Sequence, residues 1–323
     1  MTDTTGDGAG AADAADAGPA HLRTRSAESG GQKRDLSYPP LPQALTVPVF
    51  DNHTHLEIQD GEGLDYREHL DRASSVGIRG VVQVGNDLET SRWSAEIAAR
   101  EPRVLAAVAL HPNEAPRYAA EGRLAEALTE IDELAGRPRV RAVGETGLDW
   151  SRLSQHPETA DEVRAVQIES FEAHIEIAKK HGLALQIHDR DAHDDVVATL
   201  KRVGAPERTV FHCFSGGPEL GAICAENGWY LSFAGTVTFK NAQRLRDALV
   251  AAPRHLILVE TDAPFLTPTP FRGRPNAPYL IPHTLRSMAE TMGTDPSMLA
   301  AQITSNTELV YGTWESEPIT VDA

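Results

Sequence analysis

The stretch from Val49 to Ile58 reads VFDNHTHLEI and places two histidines one residue apart directly after an apolar run. If this run is a β-strand, its side chains alternate between two faces, so His53 and His55 project to the same side, with Asp51 beside them. Two imidazoles at one strand end can bind a cation, although such pairs also occur as ordinary surface or half-buried residues. The histidines stand where a doubly wound sheet would carry a glycine-rich phosphate loop, which argues against that fold.

Seven further apolar runs follow this stretch, and amphipathic segments separate them. Strands that alternate with helices are typical of parallel βαβ units, and eight such units predict an α/β fold, the closed (β/α)8 TIM barrel, with a doubly wound open sheet as the alternative. The predicted strands are LTVPVFDNH from Leu45, IRGVVQVG from Ile78, VLAAVAL from Val104, VRAVGE from Val140, LALQIH from Leu183, RTVFHC from Arg208, WYLSFAG from Trp229 and LILVET from Leu256.

One amphipathic segment gives a particularly complete helix pattern. It begins at Ala160 and reads ADEVRAVQIESFEAHIEIAKKHG, with apolar residues recurring along one helical face. Gly182 at its end supplies the residue type that most often terminates a helix. The segment therefore predicts a helix from Ala160 to the residue before Gly182.

Composition limits the classes of function. The chain has 323 residues, 41% of them hydrophobic, and no apolar run long enough to span a membrane or to serve as a signal peptide. Cys213 and Cys224 are the only cysteines, which favours two free thiols in a reduced compartment, and we expect a soluble cytoplasmic protein. The formal net charge of −17 argues against a broad basic surface for nucleic acid. It leaves room for an enzyme that takes one phosphodiester into a metal-lined pocket, because bound cations are then the largest local charges.

The chain divides into three parts by composition. Residues 1–43 contain a Gly, Ala, Asp and Thr tract and the proline-rich connector SYPPLPQ, and they predict a disordered N-terminal tail. Residues 44–315 form the predicted barrel domain, and residues 316–323 form a predicted flexible C-terminus.

Residue types that bind metals occur where predicted strands give way to loops. In a (β/α)8 barrel the active site lies at the carboxyl ends of the strands, so these side chains should meet at one rim. Each of them alone could be a hydrogen-bonded core histidine, a loop carboxylate or a helix cap. A metal site accounts for all of them together, and we therefore predict a binuclear site built from His53, His55, Glu145, His188, His212 and Asp262.

The order of the strands suggests how two cations would share these ligands. Glu145 is central in strand order and could bridge both cations, while Asp262 would join the histidines of the first strand because the first and eighth strands are neighbours. His188 and His212, on adjacent strands, would bind the second cation. Imidazole and carboxylate ligands suit zinc, manganese or magnesium, and the sequence does not choose among them. Such a pair would activate a water molecule, with Asp262 as general base, so Asp262 and Glu145 are the predicted catalytic residues.

Three further residues are candidates for contacts with substrate. His111, at the end of the third predicted strand, faces the same rim and could support a ligand or contact substrate. Arg190, two residues after His188, could hold a phosphate oxygen, although loop arginines are often only solvated. Lys240 could likewise hold a phosphate oxygen or be only solvated.

Several of these motifs together resemble the TatD family of metal-dependent hydrolases and deoxyribonucleases, within the amidohydrolase-like barrels. The matching segments run in order from about Val47 to Tyr311: DNHTHL, ALHP, GETGLD, QIHDRDAHDD, FHCFSGG, SFAGTVTFKNA, VETDAPFLTP and PNAPYLIPHTL. The resemblance implies a divalent-metal phosphodiesterase with DNA as the usual substrate, and it supports the six ligands named above at matching positions. We expect no membrane association, and the sequence gives no sign of an obligate protein partner.

The chain departs from the family pattern at two places. The family often has an aromatic pair after GLD, whereas here Trp150 is followed by a serine and an arginine. It also often has Arg-Asn-Glu-Pro where this chain has Arg274, Pro275, Asn276, Ala277 and Pro278, so a carboxylate is missing. Both departures concern substrate selection more than metal binding.

The sequence leads to three functional hypotheses. The first is a two-metal hydrolase that cleaves phosphodiester bonds as a 3'-5' exonuclease-like deoxyribonuclease. The second keeps the binuclear site but hydrolyses an amide, ester or lactone, because the same water can attack phosphorus or carbon. The third is a non-catalytic binding protein, and the intact ligand set argues against it.

Overall fold

A computed structural model of the protein describes residues 22–29, 32–61, 63–151, 153 and 159–314. Eight parallel strands form one sheet in which each strand pairs with the next along the chain, and this arrangement confirms the predicted (β/α)8 barrel. All eight predicted apolar runs contain a strand. We number them β1 (Val49–Thr54), β2 (Ile78–Val84), β3 (Val104–Val108), β4 (Val140–Asp149), β5 (Ala184–Arg190), β6 (Thr209–Phe211), β7 (Tyr230–Phe233) and β8 (Ile257–Val259).

Helices cover the outside of the barrel and begin at residues suited to their ends. Asp65 and Asp87 each accept a hydrogen bond from the third helical N–H, which satisfies a donor that has no partner inside the helix. Gly182 ends the long helix in a left-handed conformation, at the predicted position. The helices are α1 (Tyr66–Ser75), α2 (Leu88–Arg100), α3 (Ala115–Ala120), α4 (Leu124–Ala135), α5 (Ala160–His181), α6 (His193–Val203), α7 (Pro218–Asn227), α8 (Gln243–Ala251), α9 (Ile281–Thr291) and α10 (Pro296–Tyr311).

None of the helices in the described ranges is long and apolar enough to cross a membrane. Among the elements with described bounds, the short 3-10 helices Gly235–Thr238, Arg254–Leu256 and Pro278–Leu280 occupy loops.

The barrel closes between its first and last strands. Thr54 and Ala263 form a parallel bridge, and the amide N–H of His55 donates to the carbonyl oxygen of Ala263 at 2.8 Å. The side-chain amide of Asn52 donates to the carbonyl oxygen of Val259 at 2.7 Å. Closure through these bonds brings the end of β1 beside the segment that follows β8, as the sequence predicted for neighbouring strands.

The apolar core has two layers. The larger one lies between the strands and the surrounding helices, and the smaller one fills the barrel interior with residues such as Phe50, Leu105 and Leu258. At the amino-terminal end of the barrel the Trp314 ring stacks on Phe50, with ring centroids 4.1 Å apart. The candidate metal-binding residues lie toward the opposite, carboxyl-terminal end of the strands, where barrel enzymes carry their active sites.

The N-terminal segment corrects one prediction from the sequence. Residues 22–29 and 32–43, which we call the N-terminal strap, contact the barrel, so the prediction of a disordered tail is wrong for this part. The two-residue strand Arg23–Thr24 pairs in parallel with Ile58–Gln59, and the Tyr279 hydroxyl donates to the Pro39 carbonyl oxygen at 2.6 Å. Ion pairs and hydrogen bonds fix much of the strap, with few apolar side chains such as Leu22 and Tyr38 packed on the core, which is why composition missed it. Residues 1–21 and the predicted C-terminus 316–323 lie outside the described residues.

Candidate metal centre

Six residues predicted from the sequence meet at the carboxyl ends of the strands. Glu145 lies at the centre, and its two carboxylate oxygens face different partners. Its Oε2 lies 3.7 Å from His53 Nε2 and 3.8 Å from His55 Nε2. Its Oε1 lies 2.5 Å from His188 Nδ1 and 2.9 Å from His212 Nε2. Asp262 completes the first group, with Oδ1 at 3.5 Å from His55 Nε2 and 3.9 Å from His53 Nε2.

The Nε2 atoms of His53, near the end of β1, and of His55, directly after β1, face one another. The Nδ1 of His53 lies 3.1 Å from the Gln186 Oε1, and the Nδ1 of His55 lies 3.1 Å from the Val84 carbonyl oxygen. Both partners only accept, so each neutral ring carries its proton on Nδ1. The two Nε2 atoms are 3.2 Å apart, and their lone pairs face the same point. Only a positive charge between them, a metal cation or a proton, stabilises this arrangement.

Two carboxylates that the sequence analysis did not single out hold the other histidines. Asp149 Oδ2 lies 3.2 Å from His188 Nε2, and Glu260 Oε1 lies 3.2 Å from His212 Nδ1. Each histidine thus has one nitrogen toward Glu145 and the other toward a buried carboxylate, the arrangement that orients histidine ligands in metal sites. Glu260 Oε2 is buried and has no hydrogen-bond partner among the described residues.

A signal for both carboxylates was present in the sequence. Asp149 ends β4, four residues after Glu145, and Glu260 directly follows β8, two residues before Asp262. Their positions at strand ends are the sequence feature that identifies both carboxylates. Asp51, in contrast, accepts hydrogen bonds from the backbone N–H groups of Thr261 at 2.9 Å and His53 at 3.2 Å. Burial raises the pKa of Asp51 to about 8.

His111 reaches the same cluster but with the opposite protonation pattern. Its Nδ1 accepts a hydrogen bond from the Asn113 N–H at 3.0 Å, so a neutral His111 carries its proton on Nε2. That Nε2 lies 3.4 Å from Glu145 Oε1, a distance suited to a weak hydrogen bond. His111 therefore offers Glu145 a donor, which agrees with the supporting role considered from the sequence.

The charges of the cluster are set by mutual contacts. Burial lowers the pKa of His188, but hydrogen bonds to Asp149 and Glu145 outweigh it and raise that pKa to about 9. Burial raises the pKa of Asp262, but the His55 hydrogen bond and the nearby imidazoles lower it overall, so the carboxylate is ionised at neutral pH. Burial likewise opposes ionisation of Glu145, whose pKa nevertheless falls well below its usual value because of His212 and His111.

Arg190 and Lys240 are not part of the cluster. Both side chains are exposed, and neither makes a hydrogen bond or ion pair with another residue in the described part of the chain. Arg190 is the last residue of β5 and so lies on the rim, whereas Lys240 lies in the loop before α8. Their predicted contacts with substrate stay predictions.

The donor set fits divalent cations. Three groups offer ligand atoms that lie within 4.8 Å of one another: His53, His55 and Asp262; His111, Glu145 and His188; and His53, His212 and Glu260. Buried imidazole and carboxylate donors are typical of sites for zinc and manganese. The facing Nε2 atoms of His53 and His55 and the unpartnered oxygen of Glu260 also favour a bound cation.

Comparisons with known proteins agree with the fold and with a metal-dependent chemistry. A family model described as "TatD related DNase" matches residues 50–312. The chain is 42% identical over 268 residues to the uncharacterized metal-dependent hydrolase TatD of Mycobacterium tuberculosis, covering 82% of this chain and 98% of the relative. It is 32% identical over 258 residues to the 3'-5' ssDNA/RNA exonuclease TatD of Citrobacter rodentium, covering 77% of this chain and 92% of the relative.

Solved structures show the same fold. The crystal structure of YjjV, a TatD homologue from Escherichia coli K12, superposes with a TM-score of 0.71 at 24% identity and covers 82% of this chain and 98% of that one. The hydrolase TatD family protein from Entamoeba histolytica gives a TM-score of 0.69 at 19% identity, covering 84% and 100%.

Proposed function

Because this chain belongs to the family of TatD-related DNases and is a metal-dependent hydrolase, we propose that it cleaves phosphodiester bonds in nucleic acid, as a 3'-5' exonuclease-like deoxyribonuclease. The observation that carries the proposal is the position of Glu145 between two groups of donors. Two neighbouring cation sites suit an in-line displacement at phosphorus, where charge develops on both the attacking and the leaving oxygen. The relative named as an exonuclease for single-stranded DNA and RNA supports the same substrate class.

In this proposal the chain holds two divalent cations, of zinc, manganese or magnesium. His53, His55 and Asp262 would hold one, His188 and His212 would hold the other, and Glu145 could serve both. Cations bound there would lower the pKa of a water molecule and neutralise charge on a phosphate oxygen. Asp149 and Glu260 keep the imidazoles of His188 and His212 in a fixed orientation.

Asp262 is the proposed general base. Its side chain is 15% exposed, whereas those of Glu145 and Asp149 are 6% and 2% exposed, so it is the most open of these three carboxylates. It is ionised at neutral pH because its pKa is lowered, and it can therefore accept a proton from the attacking water. His111 stabilises the negative charge of Glu145 through its Nε2 proton.

The donors lie in a recess at one end of a closed barrel, which favours a strand end over the middle of a duplex. The test compares linear single-stranded DNA, labelled at either end, with covalently closed circular single-stranded DNA in the presence of each metal in turn. We expect mononucleotides from the linear strand, with the 3' label released first, and no cutting of the circle. Equal cutting of both substrates would contradict the end preference.

The same assay distinguishes the reaction at phosphorus from hydrolysis of an amide, ester or lactone. A panel of acyl substrates is tested beside the DNA, with the Glu145→Ala variant as a control for contaminating nucleases. Turnover of an acyl substrate without release of nucleotides would overturn the proposal. The cytoplasmic location also stays a proposal, and it is supported by the free thiols of Cys213 and Cys224.

A further inference from the structure

The N-terminal strap lies outside the part of the chain that matches the family, which begins at residue 50, yet it reaches the mouth of the site. It pairs with the segment that directly follows the histidines of β1: the amide N–H groups of Leu22 and Arg23 donate to the Glu57 carbonyl oxygen, and that of Arg25 donates to the carbonyl oxygen of Gln59 at 2.8 Å. The backbone of the strap is therefore fixed beside β1.

Arg25 projects from the strap toward the segment that follows Asp262. Its Nη1 donates to the Pro264 carbonyl oxygen at 2.6 Å, and its guanidinium carbon lies 4.8 Å from the centroid of the Phe265 ring. The Phe265 ring in turn lies edge-on to His55, with centroids 6.3 Å apart. One aromatic ring thus separates the guanidinium of Arg25 from a histidine of the cluster.

The charge of Arg25 is only partly neutralised. Asp60, a fully buried carboxylate, accepts hydrogen bonds from Arg34 at 2.8 and 2.7 Å and a longer one from Arg25 at 3.1 Å. Two arginines therefore share one carboxylate, and the two closer bonds belong to Arg34. Burial and the positive charge of Arg34 lower the pKa of Arg25, although the guanidinium stays charged.

Arg25 is also the open member of this pair. Its side chain is 28% exposed, against 4% for Arg34, so a ligand can approach it without displacing the strap. Arg23, two residues earlier, is already paired with the carboxylate of Asp87. In a chain with a net charge of −17, a surplus guanidinium beside the site would attract a phosphate.

We propose that Arg25 binds a substrate phosphate adjacent to the phosphodiester that is cleaved, so that the N-terminal strap adds a phosphate subsite to the metal centre. This inference rests on the proposed phosphodiesterase activity. The subsite favours oligonucleotides over substrates with a single phosphate, and Arg25 acts on substrate affinity rather than on the chemical step.

The test measures kcat and KM for two substrates in the full-length, metal-loaded protein. Single-stranded octathymidylate offers neighbouring phosphates, and bis(4-nitrophenyl) phosphate offers one diester alone. For Arg25→Gln we expect KM for the oligonucleotide to rise about tenfold, as for loss of one charge-assisted hydrogen bond, with kcat retained. The kinetic constants for bis(4-nitrophenyl) phosphate should not change.

Salt dependence gives an independent measure of the same contact. The slope of log(kcat/KM) against log[salt] for the oligonucleotide should become shallower by about 0.7 in Arg25→Gln, because one phosphate contact is lost. Arg25→Lys retains the charge and should restore the wild-type slope, which attributes the change in Arg25→Gln to the lost charge. The matched control is Arg202→Gln, which removes one exposed charge at the end of α6 and should leave both substrates unaffected.

The outcomes separate the two proposals. An equal loss of activity of Arg25→Gln on both substrates, or an unchanged KM and salt slope for the oligonucleotide, would overturn the phosphate subsite alone. A wild-type protein that hydrolyses neither phosphodiester would overturn the proposed function and the subsite with it.

Discussion

Glu260 contacts the candidate metal centre through the ring of His212. Its Oε1 lies 3.2 Å from His212 Nδ1 and accepts a hydrogen bond from the Cys213 N–H at 2.7 Å. It fixes the ring orientation of His212 and increases the basicity of the nitrogen that faces Glu145. Its own unpartnered Oε2 leaves room for a direct contact with a cation.

The Glu260→Gln substitution should weaken divalent metal binding by about 10- to 100-fold, because the amide removes the negative charge but keeps the shape. Calorimetric titration of metal into the metal-free protein measures this affinity. The control is Glu219→Gln on α7, where an exposed carboxylate pairs with Arg244 and no effect is expected. An unchanged dissociation constant for Glu260→Gln would contradict the role of this carboxylate.

His174 on α5 gives a prediction about pH. It is fully buried, its Nε2 accepts the Leu110 N–H at 3.0 Å, and its Nδ1 donates to the Ser170 carbonyl oxygen at 2.6 Å. The bond that Nε2 accepts requires the neutral ring, and burial lowers the pKa of His174 to about 4. The unfolded chain, with a pKa near about 6.5, binds the proton first as pH falls, so the contribution of His174 to stability is present above that value and is lost below it.

The free energy of unfolding should therefore decrease by about 2 kcal/mol through His174 alone between pH 7 and pH 5. Urea unfolding of wild type and His174→Gln at both values isolates this contribution, because all other groups cancel in the difference. The stability gap between the two proteins should narrow by that amount at pH 5. A gap independent of pH would show that His174 is not a neutral buried group.

At the residue scale the sequence predicted which side chains meet but not all of their roles. His53, His55, Glu145, His188, His212 and Asp262 converge, because each lies in the carboxyl-terminal part of a barrel strand or shortly after one. Asp149 and Glu260 were missed, since period-two alternation fails where a strand ends. The backbone there can be irregular. Asp262, for example, has a φ of +53°, which is unusual for a residue other than glycine and which no sequence pattern predicts.

The pairing of β4 with β5 positions two of the donors, Glu145 on β4 and His188 on β5. Gly147 and His188 are partners in this register, and Gly147 has a φ of +134°. A Cβ at Gly147 would lie 2.1 Å from the His188 carbonyl oxygen, which belongs to the backbone and cannot move aside easily. The close approach of the two strands at the site thus depends on the absence of a side chain.

Gly147→Ala should lower the free energy of unfolding by about 3 kcal/mol and abolish activity, because β4 and β5 must separate at His188. The matched control is Gly182→Ala at the end of α5, where φ is +61° and no atom lies within 4 Å of the new Cβ. That substitution should cost only about 1 kcal/mol and leave activity intact. Chemical denaturation and activity assays measure both, and equal effects of the two variants would contradict the account.

The elements of the barrel were the most predictable part of the structure. The strands are rich in apolar residues because both of their faces are largely buried, and amphipathic segments mark the helices between them. The helix from Ala160 ends before Gly182 as predicted, because only a residue without a side chain enters the left-handed conformation at little cost. The residues within each of these elements were therefore sufficient to predict it.

The N-terminal strap shows what local chemistry cannot predict. Its contacts join residues far apart along the chain, such as Arg25 with Pro264 and Arg274 with the carbonyl oxygens of Ser37 and Tyr38. No periodic pattern marks such contacts, and the segment has few apolar residues to suggest burial. Its order depends on the whole molecule, because the partners exist only once the barrel has formed.

Arg34 is the main anchor of the strap on the barrel. Arg34→Met leaves the buried carboxylate of Asp60 with the longer bond to Arg25 as its remaining ion pair, and it should lower the free energy of unfolding by about 3 kcal/mol. It should also speed cleavage of the strap by trypsin. The control Arg92→Met removes an exposed ion pair with Glu130 and should cost less than about 1 kcal/mol. Similar stability and trypsin resistance in the two variants would show that the strap has another anchor.

The proposed function depends on Glu145 lying between two cations, and the number of cations bound per chain tests this position most directly. Wild-type protein, loaded with manganese or zinc and freed of excess metal, is analysed by elemental mass spectrometry beside Glu145→Ala. We predict two cations per chain in the wild type, at most one in the variant, and no phosphodiesterase turnover by the variant. Full metal content and full turnover in Glu145→Ala would contradict the binuclear centre.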